Sequence, residues 1–315
     1  MIVAFVILHY KTLQETRECL ESLLNLEQPA NHNRQIIVVD TASNNGSLEY
    51  LQQQYGDSTD VHFIALPDNR GFARGNNAGY AYAKHTLLAD FIILLNNDTE
   101  IVQHDFLAQL IQIYEKTPFD VLGPDILTLD QQHQNPKAKR GYSQAQVDAK
   151  IRQTQRNLWL NKTGLYELLI VWDQFKKRRQ PSTSQSRFSN QSVVRTAHEN
   201  VVLHGSCLIF SPDYIQRFNG LYAGTFLYCE EEILWAFAQL ENLRQVYEPN
   251  LQILHKEDRA TETIKQTARF KRIFKLGYEL DSLRQLAELM RRPEHFRAML
   301  SIAPTNREDQ RDVSN

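Results

Sequence analysis

No apolar run in this chain approaches the ~18 residues that a membrane-spanning helix needs. The longest, Ile2 to Leu8 and Phe91 to Leu95, have the length of strands. Cysteine is scarce as well: Cys19, Cys207 and Cys229 form an odd set without the CxxC spacing of a metal module. That excludes a disulfide framework and predicts a reducing compartment. The N-terminus has neither a basic lead-in nor a small-residue cleavage site before its first apolar run, so the expected location is cytoplasmic. Two phosphate-binding signatures are missing too. The loop after the first apolar run, His9-Tyr10-Lys11-Thr12, has no GxGxxG, and no GxxxxGK followed by Ser or Thr occurs. A nicotinamide dehydrogenase and a P-loop kinase are therefore excluded. What is present, 42% hydrophobic and 23% charged residues in a chain of 315, is the composition of a soluble globular protein and excludes disorder and collagen.

The net charge of -2 conceals an uneven distribution. Residues 137–195 hold 13 Lys and Arg against 3 Asp and Glu, a local charge of +10, which leaves -12 on the rest. A basic segment on an acidic body suits an anionic partner surface, phospholipid or nucleic acid. No nucleic-acid-binding motif accompanies it, so nucleic acid is not an expected partner.

Ile2 to Leu8, apolar without alternation, reads as a strand covered on both faces. Thr12 and Glu15 make a capping-box pattern ahead of Leu13, Leu20, Leu23 and Leu24 at helical spacing. A second strand, Ile36 to Val39, ends at Asp40 and a turn-rich string, after which Leu48, Leu51 and Tyr55 restart a helical period. Val61 to Leu66 reads as a third strand, Gly71 to Leu88 as a small-residue helix, and Phe91 to Leu95 as a fourth strand closing on Asn96-Asn97-Asp98. This alternation predicts an α/β fold with a mostly parallel sheet flanked by helices and ligands at the carboxyl ends of the strands. After Pro136 the chain turns basic and aromatic, through Trp159, Tyr166, Trp172 and Phe175 to Lys176-Lys177-Arg178-Arg179, as an insertion outside the core. Apolar strands resume at Val201 to Phe210, and Tyr247 to His255 predicts a short strand pair around Pro249. A charged helical pattern covers Thr261 to Met299, and the last dozen residues are expected to be disordered.

Several strings could carry chemistry. Asp40, at a strand end, either caps an Asx turn or accepts hydrogen bonds from a base or ribose. The string Asn69 to Gly79 sets three glycines and two arginines at a helix start; it suits either a diphosphate or close helix–sheet packing. Asp98 should emerge at the carboxyl edge of the sheet, as a turn residue or as a hard oxygen ligand for Mg or Mn. Glu230-Glu231-Glu232 interrupts an apolar and aromatic stretch. Neighbouring carboxylates raise one another's pKa toward that of a useful general base, and an acidic first turn also complements a helix dipole. His255, at a strand end, is a structural histidine or a metal or phosphate ligand.

In order and separation, several strings resemble the inverting family-two glycosyltransferases of the GT-A type, especially bacterial enzymes that build capsular or O-antigen polysaccharide. They are Val6 to Tyr10, Val38-Val39-Asp40 with Ser43 and Gly46-Ser47, Asn69 to Asn77, Leu94 to Asp98, His204-Gly205-Ser206, and Phe226 to Leu234. The resemblance spans roughly residues 1–260 and implies a nucleotide-diphosphate-sugar donor. It implies that Tyr10 and Asp40 hold base and ribose, that Arg74 and Asn76 approach the nucleotide, and that Asp98, completed by His255, carries a divalent cation, Mg or Mn. Glu231 falls at the position of the catalytic carboxylate, commonly an Asp in a Glu-Asp pair, with Glu230 as its rival. The metal motif, which often holds more than one acid, keeps only Asp98.

The expected organisation is a nucleotide-sugar-binding half (1–136), a basic aromatic insertion (137–195), an acceptor or catalytic half (196–260), C-terminal helices (261–300) and a disordered tail (301–315). Within the insertion, residues 145–179 suit either the inner membrane surface or a packing or homo-oligomer interface. The first option places a cytoplasmic protein peripherally at the inner face of the membrane, beside a glycan acceptor on polyprenyl diphosphate. The rival to an enzyme is a catalytically silent sugar-nucleotide-binding or scaffold subunit with the same fold.

Overall fold

The computed structural model describes residues 1–167, 196–256, 268–294 and 296–297. Its first four strands are β1 (Ile2–His9), β2 (Asn33–Thr41), β3 (Val61–Leu66) and β4 (Phe91–Asn96), followed by β5 (Thr99–Glu100), β6 (Val121–Thr128), β7 (His198–Glu199), β8 (Cys207–Phe210) and β9 (Gln245–His255). They form one sheet in the order β3-β2-β1-β4-β8-β6-β9-β5, with β7 against β9. β3, β2, β1 and β4 run parallel. β8 reverses against β4 and β6, and β6 and β9 are again parallel. This is the predicted single, mostly parallel sheet.

The unbroken apolar character of β1 has a direct cause. Ala4 and Val6 enter one core cluster, together with Ile37, Val39, Ile92 and Leu94. Val3, Phe5 and Ile7 enter a second, with Ile36, Val38, Ile93 and Leu95. Both faces of the strand are covered, so no polar alternation is required. Helices α1 (Leu13–Leu24), α2 (Ser47–Tyr55) and α4 (Phe106–Lys116) pack on one face and α3 (Phe72–His85) on the other. The glycines of α3 let it lie close to the sheet: a Cβ on Gly75 would meet Leu8 Cδ1 at 2.5 Å, and one on Gly79 would meet Val6 Cγ1 at 2.4 Å. The remaining helices are α5 (Gln144–Thr163), α6 (Pro212–Arg217), α7 (Glu230–Glu241) and α8 (Ala268–Arg291).

Three sequence expectations are corrected. Thr12 is the N-cap of α1 but makes no capping bond; its hydroxyl accepts instead from Asn97 Nδ2 at 2.6 Å. The strand pair around Pro249 is one strand, β9. Its register against β6 jumps from Glu248 to Gln252, and Pro249, which cannot donate to a ladder, falls in that bulge. Strand β8 begins at Cys207 rather than Val201. All three cysteines are buried and free. Among the described residues no helix is long and apolar enough to cross a membrane.

Helix α5 lies antiparallel to α8: Arg291 Nη2 contacts Asp148 Oδ1 at 2.7 Å near one end, and Arg269 Nε donates to the Asn161 carbonyl at 2.8 Å near the other. Its start is fixed by a complete capping box between Ser143 and Gln146. The inner face of the pair includes buried Val147 and Leu283, whereas Trp159 is 57% and Leu165 38% exposed. The aromatic and basic run from residue 168 to 179, the linker after it, and the C-terminal tail lie outside the described residues.

Candidate functional site

The carboxyl ends of β2, β1 and β4 form one edge. In register, His9 stands beside Asp40, and Leu8 stands between Val39 and Asn96. Asp40 and the Asn96–Asp98 turn therefore leave the sheet on the same side, two strands apart. Asp40 Oδ2 accepts from the Ser43 amide at 3.2 Å, the Asx-turn contact. Its Oδ1 is buried without a hydrogen-bond donor. His9 Nε2 is 3.8 Å from it, and burial, opposed by Asp40, lowers the pKa of this histidine and favours the neutral ring. Tyr10 follows at the surface, with Lys11 Nζ 4.8 Å from its ring centre.

Asp98 faces His255, the last residue of β9, with 3.3 Å between Oδ1 and Nε2. The other ring nitrogen, Nδ1, lies 2.7 Å from Gln134 Oε1. An amide oxygen only accepts, so Nδ1 donates to it and Nε2 is the ring nitrogen turned toward Asp98. Asp98 Oδ1 has no hydrogen-bond donor. A carboxylate oxygen and an imidazole nitrogen placed this way fit two neighbouring ligands of one divalent cation, and the Gln134 contact is the outer bond that a ligating histidine usually makes. Among the described residues no group of three or more His, Cys, Asp or Glu is arranged to hold a metal.

His204 links this pair to the glutamates. Its ring lies 5.7 Å from that of His255, and its Nδ1 accepts from the Ser206 amide at 3.2 Å. Burial pushes its pKa down to about 4. The next residue, Gly205, donates its amide to Glu231 Oε1 at 3.2 Å, while Lys137 Nζ contacts Glu231 Oε2 at 3.1 Å and Glu232 Oε1 at 3.0 Å. The approach at Gly205 is tight: a Cβ there would lie 2.9 Å from Glu231 Oε1.

The three glutamates open α7, as an acidic first turn should, but they do not share one electrostatic fate. Burial pushes Glu231 up, yet Lys137, a backbone hydrogen bond and His204 outweigh it and hold this carboxyl below the ordinary glutamate value. Glu230, whose side chain accepts from Thr225 Oγ1 at 3.2 Å, is raised to about 7 by burial and then by the charge of Glu231. The expectation that crowding raises the candidate base therefore holds for Glu230, whereas Glu231 moves the opposite way. Lys137 itself is raised, because its two carboxylates outweigh its burial.

Beside Glu231 opens a cavity of about 390 Å³, lined among others by Phe72, Asn96, His204, Gly205 and all three glutamates. Its volume is in the range of small-molecule sites. A sequence-family model for glycosyl transferase family 2 matches residues 4–178, more than half of the chain. The chain belongs to glycosyltransferase family 2. Comparison with solved structures shows the GT-A-like fold at low identity. A mannosyltransferase from Pyrobaculum calidifontis, solved with GDP-Man and Mn2+, superposes with a TM-score of 0.51 at 13% identity, over 91% of this chain and 73% of that one. GalNAc-T7, solved with UDP, GalNAc and Mn2+, gives 0.55 at 12% identity, over 88% of this chain and 47% of that one. No curated protein sequence matches significantly.

In this glycosyltransferase the sequence-derived site residues are brought together unevenly. Asp98, His255 and Glu231 gather around His204, and Glu230 lines the same cavity; Tyr10 and Asp40 stand farther along the same sheet edge. Arg74 and Asn76 behave differently. Arg74 Nε donates to the Ala223 carbonyl at 2.8 Å, tying α3 to the loop that leads toward α7. Asn76 is buried and donates to the Phe72 carbonyl one turn back, so its amide serves its own helix. Two residues were missed. Lys137 is one of thirteen cations in a segment read as an insertion, and nothing in its neighbourhood marks it. His204 stood in a recognised string but was given no role.

Proposed function

We propose that this family-two glycosyltransferase moves a sugar from a nucleotide-diphosphate sugar to a hydroxyl of a lipid-linked glycan, with inversion, in cell-surface polysaccharide synthesis. The supporting observation is an ionised glutamate at a sugar-sized cavity: Lys137 and the Gly205 amide hold Glu231 as a carboxylate. Asp40, with its donorless buried oxygen, accepts from ribose or base, and Tyr10 lies against the base. Arg74 positions the loop before α7, and Asn76 stabilises the helix that carries Arg74. Asp98 and His255 would hold Mg or Mn, which when bound supplies positive charge to the leaving diphosphate.

Glu231 accepts a proton from the acceptor hydroxyl as that oxygen attacks the anomeric carbon opposite the leaving nucleoside diphosphate. One in-line displacement inverts that centre. Glu230, raised to about 7 by burial and by Glu231, is bonded to Thr225 and is not the group that receives this proton. Lys137 keeps the base ionised, at the cost of intrinsic basicity, so positioning contributes more than proton affinity.

A thermal-shift panel tests the donor assignment. UDP-, dTDP- and GDP-sugars with Mn should give at least one clear rise in melting temperature, and Asp98→Ala should remove the Mn-dependent part. A flat panel speaks against the donor. The membrane part of the reading draws on exposed Trp159 and Leu165 and on the basic charge of residues 137–195. The intact protein should float with anionic vesicles at low salt, and failure to float would remove the membrane from the account.

A further inference from the structure

The lining of the cavity beside Glu231 combines the carboxylates of the first turn of α7 with two lysines from other elements, Lys150 from α5 and Lys275 from α8. Lys137 is committed to Glu231 and Glu232, but among the described residues neither Lys150 nor Lys275 makes an ion pair. Glu279, one turn beyond Lys275, lines the same cavity and is not paired with it. Each ammonium lies over a tyrosine of the cavity wall: Lys150 Nζ is 4.6 Å from the Tyr142 ring centre, and Lys275 Nζ is 5.8 Å from that of Tyr228. The antiparallel packing of α5 on α8 holds both lysines in one frame.

Two cations fixed at a cavity wall, without carboxylate partners, add little to stability and favour an anion that enters. The donor diphosphate is not the natural occupant, because its proposed anchors, Asp98 and His255, do not line this cavity. Glu231, which would activate the acceptor, does. We propose that Lys150 and Lys275 form an oxyanion subsite for the acceptor, so that the preferred acceptor carries a phosphate or a carboxylate near its attacking hydroxyl. A neutral sugar would use the carboxylates of the cavity and leave the two ammonium groups unused. The inference rests on the proposed transfer at Glu231 but not on the identity of the donor.

Calorimetric titration of the full chain with three probes tests it: hexyl glucoside, hexyl glucuronide and a hexyl-diphosphate-linked glucose. The wild type should bind at least one anionic probe about ten-fold tighter than the neutral one, a difference of ~1.4 kcal/mol. Which anionic probe gains separates carboxylate from phosphate. The preference should shrink with added salt, vanish in Lys150→Gln/Lys275→Gln and persist in Lys150→Arg/Lys275→Arg. Equal binding of all three probes by the wild type overturns the subsite, as does a preference that survives the double glutamine change. UDP and GDP are titrated into the same samples. If the double glutamine change weakens nucleotide binding as much as probe binding, the lysines serve the donor and the proposal fails. If neither nucleotide binds the wild type, the donor assignment fails instead, while the probe preference still decides the subsite.

Discussion

Replacing Glu231 by Gln should lower turnover by roughly 10² to 10⁴, the usual contribution of a positioned general base, while nucleotide binding stays within about two-fold of wild type. The amide keeps the shape, and its single oxygen can still accept one of the two contacts that the carboxylate now makes with Gly205 N and Lys137 Nζ at 3.2 and 3.1 Å. What disappears is the group that receives the acceptor proton. Glu230→Gln is the informative control. Glu230 has the pKa better matched to neutral pH, raised to about 7 by burial and Glu231, so a base chosen on proton affinity alone would be Glu230. Its side chain is instead tied to Thr225. Steady-state rates should therefore fall far less for Glu230→Gln than for Glu231→Gln. The reverse ranking would transfer the catalytic role to Glu230.

The second large effect concerns the backbone. Gly71→Ala should destabilise the protein by ~3 kcal/mol, lowering the melting temperature by on the order of 10 °C. Gly71 has φ +84°, a left-handed conformation that costs a side-chain-bearing residue, and a Cβ there would lie 2.3 Å from the Phe226 carbonyl oxygen. That carbonyl accepts from the Phe72 amide at 2.8 Å, so the start of α3 is joined directly to the loop preceding α7 and its glutamates. Loss of activity should accompany loss of stability, because pushing Phe226 away shifts residues 227 to 231 on the cavity wall. A melting temperature within about 2 °C of wild type would show that the two segments are not coupled in this way.

The centre of the parallel half of the sheet was legible in the sequence because β1 and β4 are buried on both faces and so appear as unbroken apolar runs; the edge strand β3 is only half-buried, yet its bounds coincide with the expected Val61 to Leu66. What was not legible depends on partners distant in sequence. Thr12 with Glu15 has a capping pattern, but Asn97, from the next strand pair in space, takes the hydroxyl. The tandem glutamates announced a site without disclosing which acid is ionised. That is decided chiefly by Lys137, ninety-four residues earlier. A strand with a proline looks like two strands until its neighbour reveals a bulge. The glycines of α3 allowed either a diphosphate or close packing. The structure shows the packing directly, and it assigns Arg74 and Asn76 contacts within the fold.

The most direct test of the account is the stereochemistry of the reaction. With a donor selected by thermal shift, the sugar released or transferred by the wild-type protein can be followed by proton NMR before mutarotation scrambles the product. Attack assisted by the Glu231 carboxylate in one displacement predicts a first-formed product of inverted anomeric configuration. A first-formed product with the configuration of the donor would contradict it.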